Sequence, residues 1–314
     1  DSKPPELTII SPNGGETCFI TDSLKVEFYA YDDSFGDNPI NLSLSIDSGY
    51  TFTVVAQNLP NTDSARIMPL EELTDEALIK IFAEDEFGID AEDESDFVFT
   101  LHGVYIDLKA YLQGPFNTSG MTTLLNDQGY LPISQPYGLP PWNYYGTEAA
   151  DPLPNSNVVD WVLVEIREAP DAASANDATT IARGAGLLLN TGNITGLDGS
   201  NNMLMGFEIN DNLFAVIYHR NHLAVKSAFP LVENSGTYSY DFSTDADRAY
   251  GGAIAHSQLA AGIWGLTGGD VDADSEIDNV DKNDVWLPGI NQTGYKAADI
   301  NMDGIIDEDD LTDL

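Results

Sequence analysis

Along residues 1–101 the apolar positions fall into short runs. Val26, Phe28 and Ala30 alternate with Lys25, Glu27 and Tyr29, the period-two pattern of a strand with one buried face. Runs of similar length lie at Leu7–Ile10, Leu24–Tyr31, Ile40–Ile46, Thr51–Ala56, Ala65–Met68, Leu78–Ala83 and Phe97–Leu101. Turn-forming clusters separate them: Asn13-Gly-Gly15, Asp32-Asp33, Asp47-Ser-Gly49 and Asn61-Thr-Asp63. Residues 102–266 continue in the same manner, with strands predicted at Val104–Tyr111, Val158–Ile166, Gly186–Leu189, Leu204–Ile209, Leu213–Tyr218, Leu223–Ala228 and Tyr238–Phe242. Both sides of Val158–Ile166 are largely apolar, which marks a central strand. The alanine-rich stretch Ala249–Leu266 reads as a helix, interrupted by Gly251-Gly252 and Gly262. From Thr267 onward the strand pattern stops and acids dominate.

The predicted fold class is mainly β, in three parts. Residues 1–101 form a β-sandwich of immunoglobulin type, because seven short strands follow at regular spacing. Residues 102–266 form a second, larger β-sandwich. Residues 267–314 form a small module of loops and short helices.

That module carries the sharpest chemical signal. Asp270 to Asp281 and Asp299 to Asp310 are two twelve-residue loops in the same register. Oxygen-bearing side chains occupy positions one, three, five, nine and twelve: Asp270, Asp272, Asp274, Asp278 and Asp281, then Asp299, Asn301, Asp303, Asp307 and Asp310. Glu276 and Ile305, at position seven, would offer backbone carbonyls. A calcium ion takes roughly 6–8 oxygens at about 2.3–2.6 Å, and this is such a ligand set. The expected cofactor is therefore calcium, at two sites. Gly304 stands at position six, where the loop turns sharply, and Ser275 stands there in the first loop. Ile277 and Ile306, at position eight, are expected to pair the two loops back to back.

The duplicated loop, with a short helix after each copy, resembles a type I dockerin module. In that family the loops bind calcium and the helices dock onto a cohesin partner. The resemblance spans residues 270–314 and departs from the family in three ways. Asn279-Val280 and Glu308-Asp309 replace the Ser/Thr pair used for partner recognition, Pro288-Gly289 stops the first helix, and the second helix has barely begun at Leu314. Calcium binding carries over residue by residue; cohesin binding does not. The spacer Asn291-Gln-Thr-Gly-Tyr295 is similar to dockerin-like tails of large secreted Bacteroidetes-type surface proteins, which implies that more chain follows. The run Val158-Val-Asp-Trp-Val-Leu-Val-Glu-Ile-Arg167 resembles a domain of such proteins. Ser11-Pro-Asn-Gly-Gly-Glu16 and Ser45-Ile-Asp-Ser-Gly-Tyr-Thr51 resemble a bacterial Ig-like module, often a spacer in surface proteins.

Composition narrows the setting. The formal charge is -40, and the tail from Thr267 holds fourteen acids against two lysines. The parts before it are therefore strongly acidic too, and such a field repels nucleic acid and anionic lipid. No apolar run is long enough to span a membrane. One cysteine, Cys18, leaves no internal disulfide and no cysteine-based zinc site. Calcium in place of disulfides fits an extracellular or cell-surface bacterial location. The expected partners are calcium, and copies of this chain or another surface protein.

Two further motifs bear on function. The insertion Gln113–Asn157 holds Gln135-Pro-Tyr-Gly-Leu-Pro-Pro-Trp-Asn-Tyr-Tyr-Gly146, which gathers Tyr137, Trp142, Tyr144 and Tyr145. These aromatics are a candidate glycan platform, or else a loop folded over the sandwich with its rings buried. His219-Arg-Asn-His222 resembles a metal pair; on a strand that spacing points the two rings to opposite faces, whereas a tight turn brings them together, and with no third ligand nearby the expectation is a polar pair hydrogen-bonded at a sheet edge. No serine-nucleophile elbow, metalloprotease helix or phosphate loop is present. The leading expectation is a non-catalytic secreted structural protein, stiffened by calcium and assembled in a fibre or filament. The alternative is a carbohydrate-binding or polysaccharide-degrading protein using the 135–146 loop.

Overall fold

A computed structural model describes residues 3–20, 24–67, 72–254 and 256–313. The expected strand end at Met68 lies outside them. The chain is mainly β and divides into two compact units. The first comprises residues 1–103 with 205–208; the second comprises 104–204 and 209–314. The tail from Thr267, expected as a third domain, thus groups with the second unit.

In the first unit the strands are β1 (Glu6–Ser11), β2 (Thr17–Phe19), β3 (Leu24–Tyr31), β4 (Ile40–Ser45), β5 (Thr53–Leu59), β6 (Ser64–Ile67), β7 (Thr74–Glu84), β8 (Asp90–Glu94) and β9 (Phe99–His102). They form two sheets, ordered β1-β3-β6 and β2-β9-β7-β4-β5, with β8 also on β7. This is the two-sheet arrangement of an Ig-like sandwich. Along β3 the predicted alternation holds: Val26 and Phe28 are fully buried while Lys25 and Tyr29 face solvent. Ile40, Leu42, Ile79 and Ile81 are equally buried in the second sheet. Each such side chain contributes about 1.5–3 kcal/mol of burial. Half-buried Cys18 lies in β2, where burial and the nearby Glu16 push its thiol pKa up. The acid-rich run Asp90–Glu94 forms strand β8. Lys80 of β7 lies 3.5 Å from both Glu92 and Glu94 across that pair.

The second unit contains β10 (Val104–Lys109), β11 (Phe116–Asn117), β12 (Gly120–Met121), the helical turn α1 (Leu124–Asp127), β13 (Val158–Glu168), β14 (Thr180–Leu189), β15 (Asn193–Thr195), β16 (Met203–Met205), β17 (Leu213–His219), β18 (His222–Lys226), β19 (Val232–Asn234), β20 (Thr237–Asp241), β21 (His256–Ala260) and β22 (Ile263–Leu266). Nine strands join in one hydrogen-bonded sheet, β18-β17-β13-β14-β15-β10-β20-β19, with β16 on β10. Every residue of β13 from Val158 to Arg167 is buried, as its two-sided apolar pattern requires. Among the described residues the expected helix over Ala249–Leu266 is reduced to a single turn, Gly252–Ile254. β21 and β22 form a hairpin there, with Gly262 at a φ of 74° in the turn. That conformation suits glycine and ends helices. Among the described residues no helix is long and apolar enough to cross a membrane.

β22 leads directly into the tail. The Leu223 N–H donates to the Thr267 carbonyl at 2.9 Å, and the Gly269 N–H donates to the Asn221 carbonyl at 3.0 Å. The acidic module therefore begins as an edge extension of β18.

Candidate metal centre

The two acidic loops fold alike. In each, the N–H groups of positions two and three donate to one oxygen of the position-twelve carboxylate. Val271 and Asp272 donate to Asp281 at 2.8 and 3.3 Å; Ile300 and Asn301 donate to Asp310 at 2.8 and 3.1 Å. The other oxygen accepts position nine, from Asp278 at 2.8 Å and from Asp307 at 2.9 Å. Position six donates to position one, Ser275 to Asp270 at 3.4 Å and Gly304 to Asp299 at 3.0 Å. The side chains at positions three, five and nine each accept the N–H two residues on, in both loops. Positions four and six are left-handed in both: Ala273 and Met302 at 61° and 58°, Ser275 and Gly304 at 76° and 88°.

This skeleton fits a hard cation. Carboxylate oxygens of Asp270, Asp272 and Asp274 lie within 4.8 Å of one another. Two oxygens on opposite sides of a calcium ion are about 5 Å apart, so these three can share one. Asp270 and Asp299 are buried, and burial raises both pKa values to about 7. Neighbouring carboxylates push the same way, from Asp281, Asp274 and Asp272 in the first loop and from Asp310 and Asp303 in the second. Burial also raises Asp310 and, less buried, Asp272. A cluster that resists its own ionisation is one a divalent cation would relieve. Glu276 and Ile305 are exposed at position seven, as a carbonyl donor position allows.

Gly304 is required twice over. Its φ suits glycine, and a Cβ there would meet Gln128 Oε1 at 2.5 Å and the Tyr130 ring at 2.9 Å. Ser275 holds the same conformation without glycine's freedom. Ser275→Gly is expected to raise stability by roughly 0.5–1 kcal/mol and to tighten calcium binding at the first loop. Calorimetric calcium titration of the variant against the parent chain checks this; a weaker first site would contradict it.

Ile277 and Ile306 do not pair. Ile306 instead exchanges backbone hydrogen bonds with Asn291 and Gln292 at 2.8 and 3.0 Å, and Thr293 bridges to Ile305. The spacer supplies the strand that the first loop was expected to provide. Ile306 packs with Trp286 and Ala298 in a small core, with Val285, Ile290 and Leu311 around it. Trp286 Nε1 donates to the Asp307 carbonyl at 3.1 Å.

Beneath the second loop lies a polar network. The turn Arg220-Asn221 joins β17 to β18 and turns into the acidic module. Asn221 Nδ2 donates to the carbonyls of Ala297 and Asp299, at 2.8 and 2.9 Å, while Arg220 Nη1 donates to the Lys296 carbonyl. Arg220 Nε donates to Asp160 Oδ2 at 2.9 Å, and its guanidinium lies 4.4 Å over the Tyr295 ring. The Tyr295 hydroxyl donates to Asp160 Oδ1 at 2.7 Å. Asp160 is fully buried, yet its pKa falls to about 2. Burial alone would raise it; Arg220 and His219, with the Tyr295 hydroxyl, reverse the sign.

Of the two arrangements open to His219 and His222, a strand that points them apart and a tight turn that brings them together, the hairpin is the second. They are register partners across the turn, with Nδ1 atoms 3.0 Å apart. His219 Nε2 lies 3.2 Å from Asp160 Oδ2 and, facing an ionised carboxylate, carries the proton. His219 Nδ1 is then an acceptor, and His222 Nδ1–H donates to it and to Asn221 Oδ1 at 2.8 Å. His222 Nε2 is buried beside Gly268, and the Gln113 backbone faces this ring. Burial lowers both histidine pKa values, that of His222 strongly.

The aromatic loop is only partly a platform. Tyr137 is wholly buried, and its hydroxyl donates to the Trp161 carbonyl at 2.8 Å, so it presents no face to a glycan. Tyr144 is half-buried and its hydroxyl donates to Glu148. Tyr145 is exposed. Trp142 is half-buried, packed edge-on against Tyr137 at 5.1 Å. It borders two cavities, of about 380 and about 290 Å³, whose other walls include residues of the first acidic loop.

Sequence reading missed Asp160, Arg220, Asn221 and Tyr295. One signal was available: Asp160 is an ionisable residue inside an otherwise apolar central strand, which requires a buried partner.

No family model and no curated protein matches this chain. Among solved structures it is similar to the fibronectin(III)-like modules of Clostridium thermocellum CbhA. The identity is 8%, over 75% of this chain and 94% of that one, with a TM-score of 0.23.

Proposed function

We propose that this chain is a calcium-stapled, non-catalytic structural protein of the bacterial cell exterior. Two calcium ions, one held by Asp270 to Asp281 and one by Asp299 to Asp310, order an otherwise self-repelling tail and fasten it to the β sheet. The observation that carries this reading is the Arg220-Asn221 turn, whose side chains bond the backbone at the entrance of the second loop: Lys296 and Ala297 just before it and Asp299, its first residue. Ordering that loop with calcium fixes the carbonyls the turn needs, so binding and docking are linked. The partner class is a protein surface, either another copy of this chain or a neighbouring exterior protein, met by a stiffened tail. Cohesin docking is not part of the proposal, because positions ten and eleven lack the recognition pair.

Tryptic cleavage tests it. Lys282 and Lys296 are exposed on the module. Saturating calcium is expected to protect both bonds and chelation to open them, with cleavage tracking the population of undocked tail. Equal cleavage rates in the two conditions would overturn the reading.

A further inference from the structure

We propose that the cavity between Trp142 and the first acidic loop is a binding site for a small neutral saccharide, and that calcium in that loop shapes one of its walls. The calcium part rests on the function proposed above; the cavity does not.

Two motifs singled out independently in the sequence meet here. Pro141 and Trp142 line it together with Asp270, Ala273 and Ser275. At about 380 Å³ the cavity sits at the lower end of the roughly 300–1,000 Å³ of small-molecule sites, a size for one or two sugar rings. Its floor is a mixed set of donors and acceptors. Glu165 accepts from Arg167 Nε at 2.6 Å and from the Thr180 hydroxyl at 2.9 Å, and Arg183 Nε lies 3.3 Å from it. These charges pair with one another, so the wall offers no unmatched cation to an anionic ligand. It offers hydroxyls, at Thr180 and Tyr218, and His222 is among its lining residues. A polyol both donates and accepts, and so suits this set. Trp142 adds an aromatic surface for the C–H face of a sugar ring. Its backbone carbonyl accepts from Arg183 Nη1 at 3.0 Å, and its ring packs on buried Tyr137, so it is pre-positioned.

The calcium link follows from the wall formed by the first loop. Asp270 is a position-one ligand of the first loop, and Ala273 and Ser275 are its left-handed residues. Ordering that loop sets where this wall stands, so saccharide and calcium should each raise the other's affinity.

The experiment is calorimetric titration of the whole chain with glucose, galactose, mannose, xylose and cellobiose, in saturating calcium and after chelation. Glycine, glutamate and inorganic phosphate serve as charged competitors. At least one saccharide is expected to bind, about tenfold more weakly in Trp142→Ala. Thr180→Val removes one hydroxyl from the wall and should weaken binding in the same direction, which covers the case of a misfolded tryptophan variant. Tyr50→Ala, an exposed tyrosine of the first unit, should bind as the parent does. Absence of saccharide heat in a sample that still binds calcium overturns the cavity and leaves the calcium reading standing. Saccharide binding unchanged by chelation, in a sample that binds calcium, overturns the link alone. Binding of a charged competitor in place of every sugar overturns the ligand class.

Discussion

Asp160→Ala is expected to destabilise the calcium-loaded protein by about 3–5 kcal/mol, the usual cost of breaking a buried ion pair from one side. Asp160 lies in the central strand β13 with no solvent exposure, and it has three partners on other segments. Arg220 Nε and His219 Nε2 come from the hairpin at 2.9 and 3.2 Å, and the Tyr295 hydroxyl comes from the acidic module at 2.7 Å. Alanine would leave the buried Arg220 guanidinium over the half-buried Tyr295 ring, with Asp299 as its remaining carboxylate neighbour. The loss should also reach the metal centre, because Arg220 and Asn221 bond the carbonyls of Lys296, Ala297 and Asp299. Calcium affinity is therefore expected to fall at the second loop more than at the first. Asp160→Asn keeps the shape and loses the charge, and should fall between parent and alanine variant. Urea unfolding at fixed free calcium measures all three. A loss under about 1 kcal/mol for the alanine variant would mean that the network is ornamental.

How much of this was readable beforehand differs between fold and site. The strands with a clear apolar face, such as Leu24–Tyr31, Val158–Ile166 and Leu213–Tyr218, were legible because burial on one or both faces writes a pattern. Strand β8 was not, since Asp90–Glu94 offers one alanine among four acids, and what pairs it is the edge of β7. The β21–β22 hairpin was misread as helix because alanine is helix-favouring, while Gly262 decided the turn. At the site, the two loops were legible because each position has a fixed chemical duty that repeats after 29 residues, as from Asp270 to Asp299. Their docking was not. The Asp160–Arg220–Tyr295 contact spans 135 residues between Asp160 and Tyr295, and no local pattern encodes a partner that distant. The histidine pair was open between two arrangements for a related reason. Strand alternation predicts opposite faces only while the strand continues, and the Arg220-Asn221 turn ends it.

Calcium should steepen how the protein's stability responds to pH. In saturating calcium, stability is expected to fall steeply between about pH 6.5 and pH 5; in chelator the same interval should be much flatter. The loaded slope comes from histidines. His219 and His222 are neutral in the fold, their pKa values lowered by burial, and His256 is lowered to about 4 for the same reason. Unfolding frees each to take a proton below about pH 6.5, so the unfolded chain binds more protons and stability drops with pH, by up to about 1.4 kcal/mol per unit per histidine. Asp270 and Asp299 act oppositely when calcium is removed. Their folded pKa values of about 7 lie above the ordinary carboxylate value of 3.8, so the folded chain binds more protons across that interval. Chelated protein thus gains from acidification at these two groups while losing at the histidines. Calcium displaces those protons, removes the compensating gain, and itself binds less tightly as protons compete for the same oxygens. Above pH 7 the loaded form should be the more stable by roughly 5 kcal/mol, for two sites at about a hundredfold excess over Kd. That margin should narrow toward pH 5. Urea midpoints across this interval, with and without calcium, decide the matter: two parallel curves would rule out ligation by Asp270 and Asp299.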